Sequence, residues 1–235
     1  MHIVSISTCK VTKSLQYTQQ MKRENTILRL IVSKMIKNII FDFGGVLVDW
    51  NPHYLFDSYF NDMEKCNYFI ENVCNTEWNA QMDKGKPFDI AVKERIAEFP
   101  EYEEAIRLYH TEWMKTMGDE IPGMYELIKS LKEKYPVIYG LTNWSNETFP
   151  MVQKKYRIFS LIDNIVCSGD EKLLKPDPKI YHTLLERYNL KAEESVFIDD
   201  NINNVKGAIN VGMKSIHFIN AEQLQKDLNE LLNQE

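Results

Sequence analysis

The chain has 235 residues, 44% of them hydrophobic, and a formal net charge of −6. That is enough apolar content for one substantial core with a small accessory unit, and too little for two full-size domains. The acidic balance gives no general attraction to a phosphate backbone, and no basic face stands out in the body of the chain, so no nucleic-acid partner is expected.

Residues 1–34 differ from the rest, carrying six basic residues and one acid, Glu24. Their best apolar run, Ile27 to Val32, is broken by Arg29 and is too short to anchor the chain in a membrane. An Arg/Lys-rich, acid-poor start also resembles a targeting peptide. The reading here is a dispensable extension, with Met35 standing just before the first core strand. Cys9, Cys66, Cys74 and Cys167 lack the paired short spacings of a zinc site, and a chain of this size needs no disulfide, so a reducing cytoplasm is the expected compartment.

From Lys37 to Phe43 an apolar run reads as a buried strand closed by the Gly44-Gly45 pair. Between Pro52 and Gly118 no good strand candidate occurs. Aromatic and aliphatic residues recur there at helical spacing, as in Tyr102, Ile106, Tyr109 and Trp113, and again in Tyr68, Asn72 and Asn75. The length suits about four short helices of roughly 10–14 residues each, bounded by Asn51-Pro52 and by Ile121-Pro122-Gly123. Downstream, helical stretches at Met124–Lys134, Glu147–Tyr156, Pro178–Tyr188, Ile202–Val211 and Ala221–Leu232 alternate with short apolar runs at Val137–Leu141, Asn164–Cys167, Ser195–Ile198 and Ser215–Phe218. Such alternation predicts a parallel sheet covered on both faces, a Rossmann-like α/β core over 35–51 and 120–235, with an α-helical cap inserted at 52–119.

Four polar elements fall at the ends of predicted strands, where ligands bind in open parallel sheets. Asp42 ends an apolar run in which a lone carboxylate is costly unless a cation compensates; it reads as a nucleophile for a phosphoryl group or as a turn cap. Asp199 and Asp200 are adjacent carboxylates whose repulsion a cation would relieve, and Mg²⁺ is the natural hard ion; the alternative is an exposed acidic turn. Lys175, in Lys175-Pro176-Asp177-Pro178, offers a fixed positive charge, with Asp177 placed to cap a helix starting at Pro178. Thr142 offers a hydroxyl and Asn143 a backbone N–H to a phosphoryl oxygen. Trp144 either stacks on a substrate face or packs.

Taken in order, these elements resemble the haloacid dehalogenase superfamily of phosphohydrolases, over about Met35 to Ile219. The resemblance implies Asp42 as nucleophile, Thr142 and Lys175 as catalytic partners, and Asp42, the Gly44 carbonyl, Asp199 and Asp200 as the Mg²⁺ site. A helical cap after the first motif is similar to the family's subfamily I, and the Gly44 variant with its following Val48-Asp49-Trp50 looks like the glucose-1-phosphate phosphatase branch. The usual motif has a second aspartate, the general acid and base, where this chain has Gly44. Asp49 could supply that proton, or it could hold a loop as a fixed carboxylate. A site with no acid would favour weakly basic leaving oxygens, as in sugar-1-phosphates.

The expectation is therefore a Mg²⁺-dependent phosphatase of a small phosphorylated metabolite, most simply a sugar phosphate, with Asn143 and Trp144 contacting substrate, no membrane partner, and a monomer or homodimer. The alternatives are a metal-free 2-haloacid dehalogenase and a catalytically weak binding or regulatory protein.

Overall fold

The structure is a computed structural model and describes residues 35–233; the expectations for residues 1–34, Cys9 included, lie outside it. The strands are β1 (Asn38–Phe41), β2 (Val48–Trp50), β3 (Met117–Glu120), β4 (Ile138–Thr142), β5 (Asn164–Cys167), β6 (Ser195–Asp199) and β7 (Lys214–His217). Five of them form one sheet in the order β5-β4-β1-β6-β7, with every pairing parallel. β1 is central, and its neighbours on the two sides come from later, separate parts of the chain. That places the end of β1 at the point where strand order reverses, where ligands collect.

Within β1 successive side chains face opposite sides. Ile39 and Phe41 join one apolar cluster and Ile40 another, all fully buried. Both faces are therefore dry, which is why the strands read as unbroken apolar runs rather than alternating ones. Of the helices, α1 (His53–Phe60), α2 (Met63–Tyr68), α3 (Thr76–Asp83), α4 (Phe88–Glu98) and α5 (Glu103–Thr111) lie between β2 and β3. The others are α6 (Met124–Lys134), α7 (Phe149–Lys155), α8 (Ser168–Glu171), α9 (Pro178–Arg187), α10 (Ile202–Asn210) and α11 (Ala221–Asn233). Ile180, Tyr181, Leu184 and Leu185 of α9 and Ala208 of α10 pack with Ile40, while Ile128 of α6, Val152 of α7 and Leu224 of α11 pack on the opposite face.

The inserted helices hold together through aromatic rings. Phe56, Phe69 and Tyr109 are buried, with Phe56 4.7 Å from Phe69 and 5.9 Å from Tyr109, and Trp78 meets Tyr109 edge-on at 5.0 Å. Asp62 and Asn75 cap α2 and α3 by accepting from the backbone N–H groups of Lys65 and Trp78.

Three differences from the sequence reading stand out. Five helices rather than about four fill the insertion, because a π-helical turn at Phe69–Val73 and a 3₁₀ turn at Pro100–Tyr102 break it into shorter pieces. The antiparallel pair β2–β3 closes the base of the insertion, and β3 begins at Met117, inside the stretch read as strand-free. Its Met-Gly-Asp-Glu sequence carries little strand propensity; the chain's return past β2 imposes the pairing. The helix expected from Glu147 begins at Phe149, after a turn held by Ser145.

Gly140, inside β4, has a positional reason to be glycine. A Cβ there would sit 2.1 Å from the ring Cζ of Phe43. Phe43 is fully buried, stacked on Phe149 at 5.5 Å and edge-on to Phe159 at 5.1 Å, and it follows Asp42 directly. Gly140→Ala should therefore push Phe43 out of its slot and cost about 1–3 kcal/mol, as overpacking does. Urea unfolding checks this, and an unchanged midpoint would mean that the ring is not wedged.

Candidate active site

The site begins where β1 stops. Asp42 is the first residue past the strand, its N–H bonded to the Ile198 carbonyl of β6 at 2.8 Å, so its side chain is fixed by the sheet itself. Lys175 Nζ lies 2.8 Å from Asp42 Oδ1 and 2.7 Å from Asp199 Oδ2. The Lys175 and Asp199 side chains are fully buried and that of Asp42 nearly so. Such a triad is tolerable in a dry interior only because each charge has a partner. Burial pulls the Lys175 ammonium down, but the carboxylates of Asp42 and Asp199 outweigh it and raise it above its ordinary value.

Asp199 is more heavily bonded than Asp42. Both its oxygens accept from Asn204 Nδ2 at 3.1 Å, and Oδ1 also accepts from the Asn201 N–H at 2.8 Å. Asn204 sits in the first turn of α10, on the face carrying buried Val205 and Ala208. Asp200 follows at the carboxyl end of β6; the residue is exposed overall, but its carboxylate packs against the Gly45 turn. A Cβ on Gly45 would come 2.3 Å from Asp200 Oδ2, and Gly45 has φ +73°. Only glycine fits that turn on both counts.

Asp42, Asp199 and Asp200 bring ligand oxygens within 4.8 Å of one another. Three carboxylates against one ammonium leave the cluster short of positive charge. Burial accordingly pushes Asp42 up to about 8 against the pull of Lys175, and burial with the charge of Asp199 raises Asp200. A hard divalent cation fits this donor set. Gly44 lines the same cavity as Asp42 and Asp200. In the Gly44–Val48 bridge the hydrogen bonds are made by Phe43 and Gly45, leaving the Gly44 carbonyl uncommitted among the described residues.

At the end of β4, Thr142 is fully buried and its Oγ1 has no hydrogen-bond partner among the described residues. An orphaned hydroxyl of this kind costs about 1–3 kcal/mol unless a ligand completes it. Asn143 spends its side chain on structure. Its amide clamps the Lys175 backbone from both sides, Nδ2 to the carbonyl at 3.0 Å and Oδ1 from the N–H at 2.9 Å. Asp177 caps α9 by accepting from the Lys179 N–H at 2.9 Å.

Above Asp42 lies a cavity of ≈ 320 Å³ walled by both layers of the molecule. Asp42, Gly44, Asn143, Trp144 and Asp200 line it from below, and Asn79, Asp83 and Phe88 from the inserted helices. Thr142, Lys175 and Asp199 are not on its walls and belong to the floor beneath. Trp144 is only 5% exposed, edge-on to Trp113 at 5.8 Å and donating Nε1–H to Thr148 Oγ1, so its packing role dominates its contact with the cavity. Asp49 lies outside the cavity, on the β2–β3 ribbon, bonded by the Tyr54 hydroxyl and pressed against Gly118. Of the two uses foreseen for it, the structure shows the loop-holding one.

The Haloacid dehalogenase-like hydrolase family model matches residues 39–218. The chain belongs to this family. Among its relatives is a sesquiterpene phosphatase of Aspergillus oryzae, 28% identical over 83% of this chain and 96% of the relative. Another is a phosphorylated carbohydrates phosphatase of Thermotoga maritima, 26% identical over 77% of this chain and 84% of the relative. Other relatives are matched over about half of their own length. A haloacid dehalogenase family enzyme of Bacteroides thetaiotaomicron, solved as a magnesium complex, shares the fold with a TM-score of 0.67 at 22% identity, over 83% of this chain and 99% of that one. The chain is thus a haloacid dehalogenase-like hydrolase with an α/β core.

Two groups of site residues escaped the sequence. Asn204 left a faint signal, a polar residue where the buried face of a helix calls for an apolar one. Asp83 left none, since Asp-Lys-Gly at a helix end reads as a solvated turn.

Lys175→Met tests the floor of the site. It should strand the Asp42 and Asp199 carboxylates in the interior and cost about 3–5 kcal/mol. Chemical unfolding at neutral pH would show it, and a loss under about 1 kcal/mol would mean the pair is solvated rather than buried.

Proposed function

We propose that this hydrolase is a magnesium-dependent phosphatase of small phosphorylated metabolites, a sugar phosphate first, working through an aspartyl-phosphate on Asp42. The observation that carries the reading is the buried ammonium of Lys175, 2.8 Å from a carboxylate that lines the cavity between the two layers. A carboxylate attacking an anionic phosphate needs a fixed cation to offset their repulsion. Asp42 attacks phosphorus, and the resulting acyl-phosphate is cleaved by water, which splits one hard hydrolysis into two easier steps. Thr142 Oγ1 and the Asn143 N–H hold phosphoryl oxygens. Asp42, the Gly44 carbonyl, Asp199 and Asp200 would hold Mg²⁺, with Asp200 the freer ligand because both Asp199 oxygens already accept from Asn204. Bound there, the ion supplies positive charge to the phosphoryl oxygens. The helices between β2 and β3 act as the cap.

The walls bear on the substrate. Among the described residues no Lys or Arg lines the cavity, which favours esters with one phosphate over those with two. Amides and hydroxyls from Thr76, Asn79, Ser145 and Thr148 suit a polyol, and the Thermotoga relative's name points the same way. A second reading, an ester of an apolar alcohol, is favoured by the aromatic walls Trp50, Phe88, Trp113 and Trp144 and by the Aspergillus relative's name. Buried free Cys66, Cys74 and Cys167 support a reducing, cytoplasmic setting.

Phosphate release from p-nitrophenyl phosphate should require Mg²⁺ and cease in excess EDTA, and Asp42→Asn should lower it by about 10⁴-fold or more, as loss of a nucleophile does. Mg²⁺ alone should raise the melting temperature of the unaltered protein, and this shift should vanish in Asp200→Ala. Full activity in EDTA would instead support the metal-free dehalogenase. A panel of sugar phosphates and prenyl phosphates then separates the two substrate readings.

A further inference from the structure

The glycine at position 44 leaves a gap in the chemistry. The leaving oxygen of a phosphate ester must gain a proton, and the residue the family motif would use for this has no side chain here. Asp49, the nearest substitute in sequence, is bonded to Tyr54 outside the cavity. The cavity holds one carboxyl that neither the floor triad nor the metal cluster uses, and it comes from above. Asp83 is the last residue of α3 and lines the cavity with Asp42 and Gly44.

Its placement is fixed from two directions. Asn79, one turn earlier on α3, donates Nδ2–H to Asp83 Oδ2 at 3.0 Å, and the Tyr109 hydroxyl donates to Asn79 Oδ1 at 3.1 Å. The tyrosine thereby orients the amide so that its N–H side must face the carboxyl. Oδ2 is thus an acceptor toward Asn79. The backbone is tied to the core. The Asp83 carbonyl accepts from Ser168 Oγ at 2.5 Å, while Ser168 Oγ in turn accepts the Trp144 N–H at 2.8 Å. Two residues on, Gly85 (φ +86°) passes so close to α8 that a Cβ would sit 2.4 Å from the Gly169 carbonyl, and Lys172 Nζ bonds both the Gly85 and Gly169 carbonyls. A cap residue held this firmly to the core is kept on the wall of the cavity that Asp42 also lines.

We propose that Asp83 is the general acid and base of this site, standing in for the side chain that Gly44 lacks; the proposal rests on the phosphatase reading above. In the first half-reaction the Asp42–phosphorus bond forms as the ester P–O bond breaks. The departing oxygen takes the electron pair of that bond and the proton of the Asp83 carboxyl, leaving an alcohol and the Asp83 carboxylate. In the second, that carboxylate takes a proton from water as its oxygen attacks phosphorus. The Asp42–phosphorus bond breaks, and phosphate, the Asp42 carboxylate and protonated Asp83 are restored.

The electrostatics agree with the geometry. Burial, aided by the charge of Asp42 and opposed by the Ser145 N–H, pushes Asp83 up to about 8, so its acid form is present at neutral pH. Its own charge in turn raises Tyr109 and Cys167.

The test compares two ring-bearing esters of similar size, p-nitrophenyl phosphate and benzyl phosphate, of which only the second leaves as a strongly basic alkoxide. Asp83→Asn should lower kcat/KM for benzyl phosphate by about 10²–10⁴-fold and for p-nitrophenyl phosphate by less than about threefold. Equal losses on both esters, or none on either, would overturn the assignment, because a merely structural role cannot tell leaving groups apart. Gly44→Asp in the Asp83→Asn background should recover benzyl phosphate turnover; a Cβ at Gly44 meets only Trp144, at 3.7 Å. Should Asp83→Asn not fold, the unaltered enzyme still decides. The two esters within about tenfold of each other support an acid in the site, and a gap of about 10²-fold or more against benzyl phosphate overturns it. If the unaltered enzyme releases phosphate from neither ester with Mg²⁺ present, the phosphatase reading itself falls and Asp83 falls with it.

Discussion

A single ammonium group organises this molecule. Lys175 Nζ is buried between Asp42 and Asp199, at 2.8 and 2.7 Å, and so joins the ends of β1 and β6 to the loop before α9. Each group would be ruinous to bury alone, and together they form a compact polar floor in an otherwise apolar sheet. Everything around them serves to keep that geometry. Asn143 grips the Lys175 backbone, Asn204 grips Asp199, and the β6 carbonyl of Ile198 holds the Asp42 backbone. The floor still lacks positive charge, and it has an uncommitted Thr142 hydroxyl. Both deficits are of the kind that a metal ion and a phosphate together would remove.

The roof is held by different means. Ser168 bonds the Asp83 carbonyl, Lys172 bonds Gly85, and Glu147 accepts the Phe88 N–H at 2.9 Å. These are polar ties between the inserted helices and the loops at the strand ends, and they coexist with one apolar cluster that runs through both layers. The insertion itself is held by aromatic packing around Phe56, Phe69 and Tyr109. The cavity lies between the two layers, with residues of both on its walls.

The parallel core was legible because both faces of its sheet are buried. Runs such as Asn38–Phe41 and Ser195–Asp199 are apolar without interruption, and the polar residues that end them are conspicuous for that reason. Asp42, Thr142, Lys175, Asp199 and Asp200 could be read because each spoils an apolar run or sits in a proline-stiffened turn. The rest was hidden where local sequence and tertiary context disagree. β3 pairs because the chain returns past β2, and nothing in Met-Gly-Asp-Glu announces a strand. Trp144 could be read as a substrate platform or as packing, and only the presence of Trp113 and Phe149 beside it weighs the two. Asp83 was invisible for the same reason: apart from Asn79 one turn earlier, its surroundings come from Ser145 and Ser168, far along the chain.

The central claim is that the floor triad and the Thr142 hydroxyl are built to hold a phosphoryl group on Asp42. A crystal structure of the full chain with Mg²⁺ and beryllofluoride tests this most directly. A tetrahedral adduct bonded to an Asp42 carboxylate oxygen is expected, with fluorine atoms in hydrogen-bond reach of Thr142 Oγ1 and Lys175 Nζ and the metal against Asp200. An adduct on any other residue, or an Asp42 that stays bare while Mg²⁺ and beryllofluoride bind elsewhere, would contradict it.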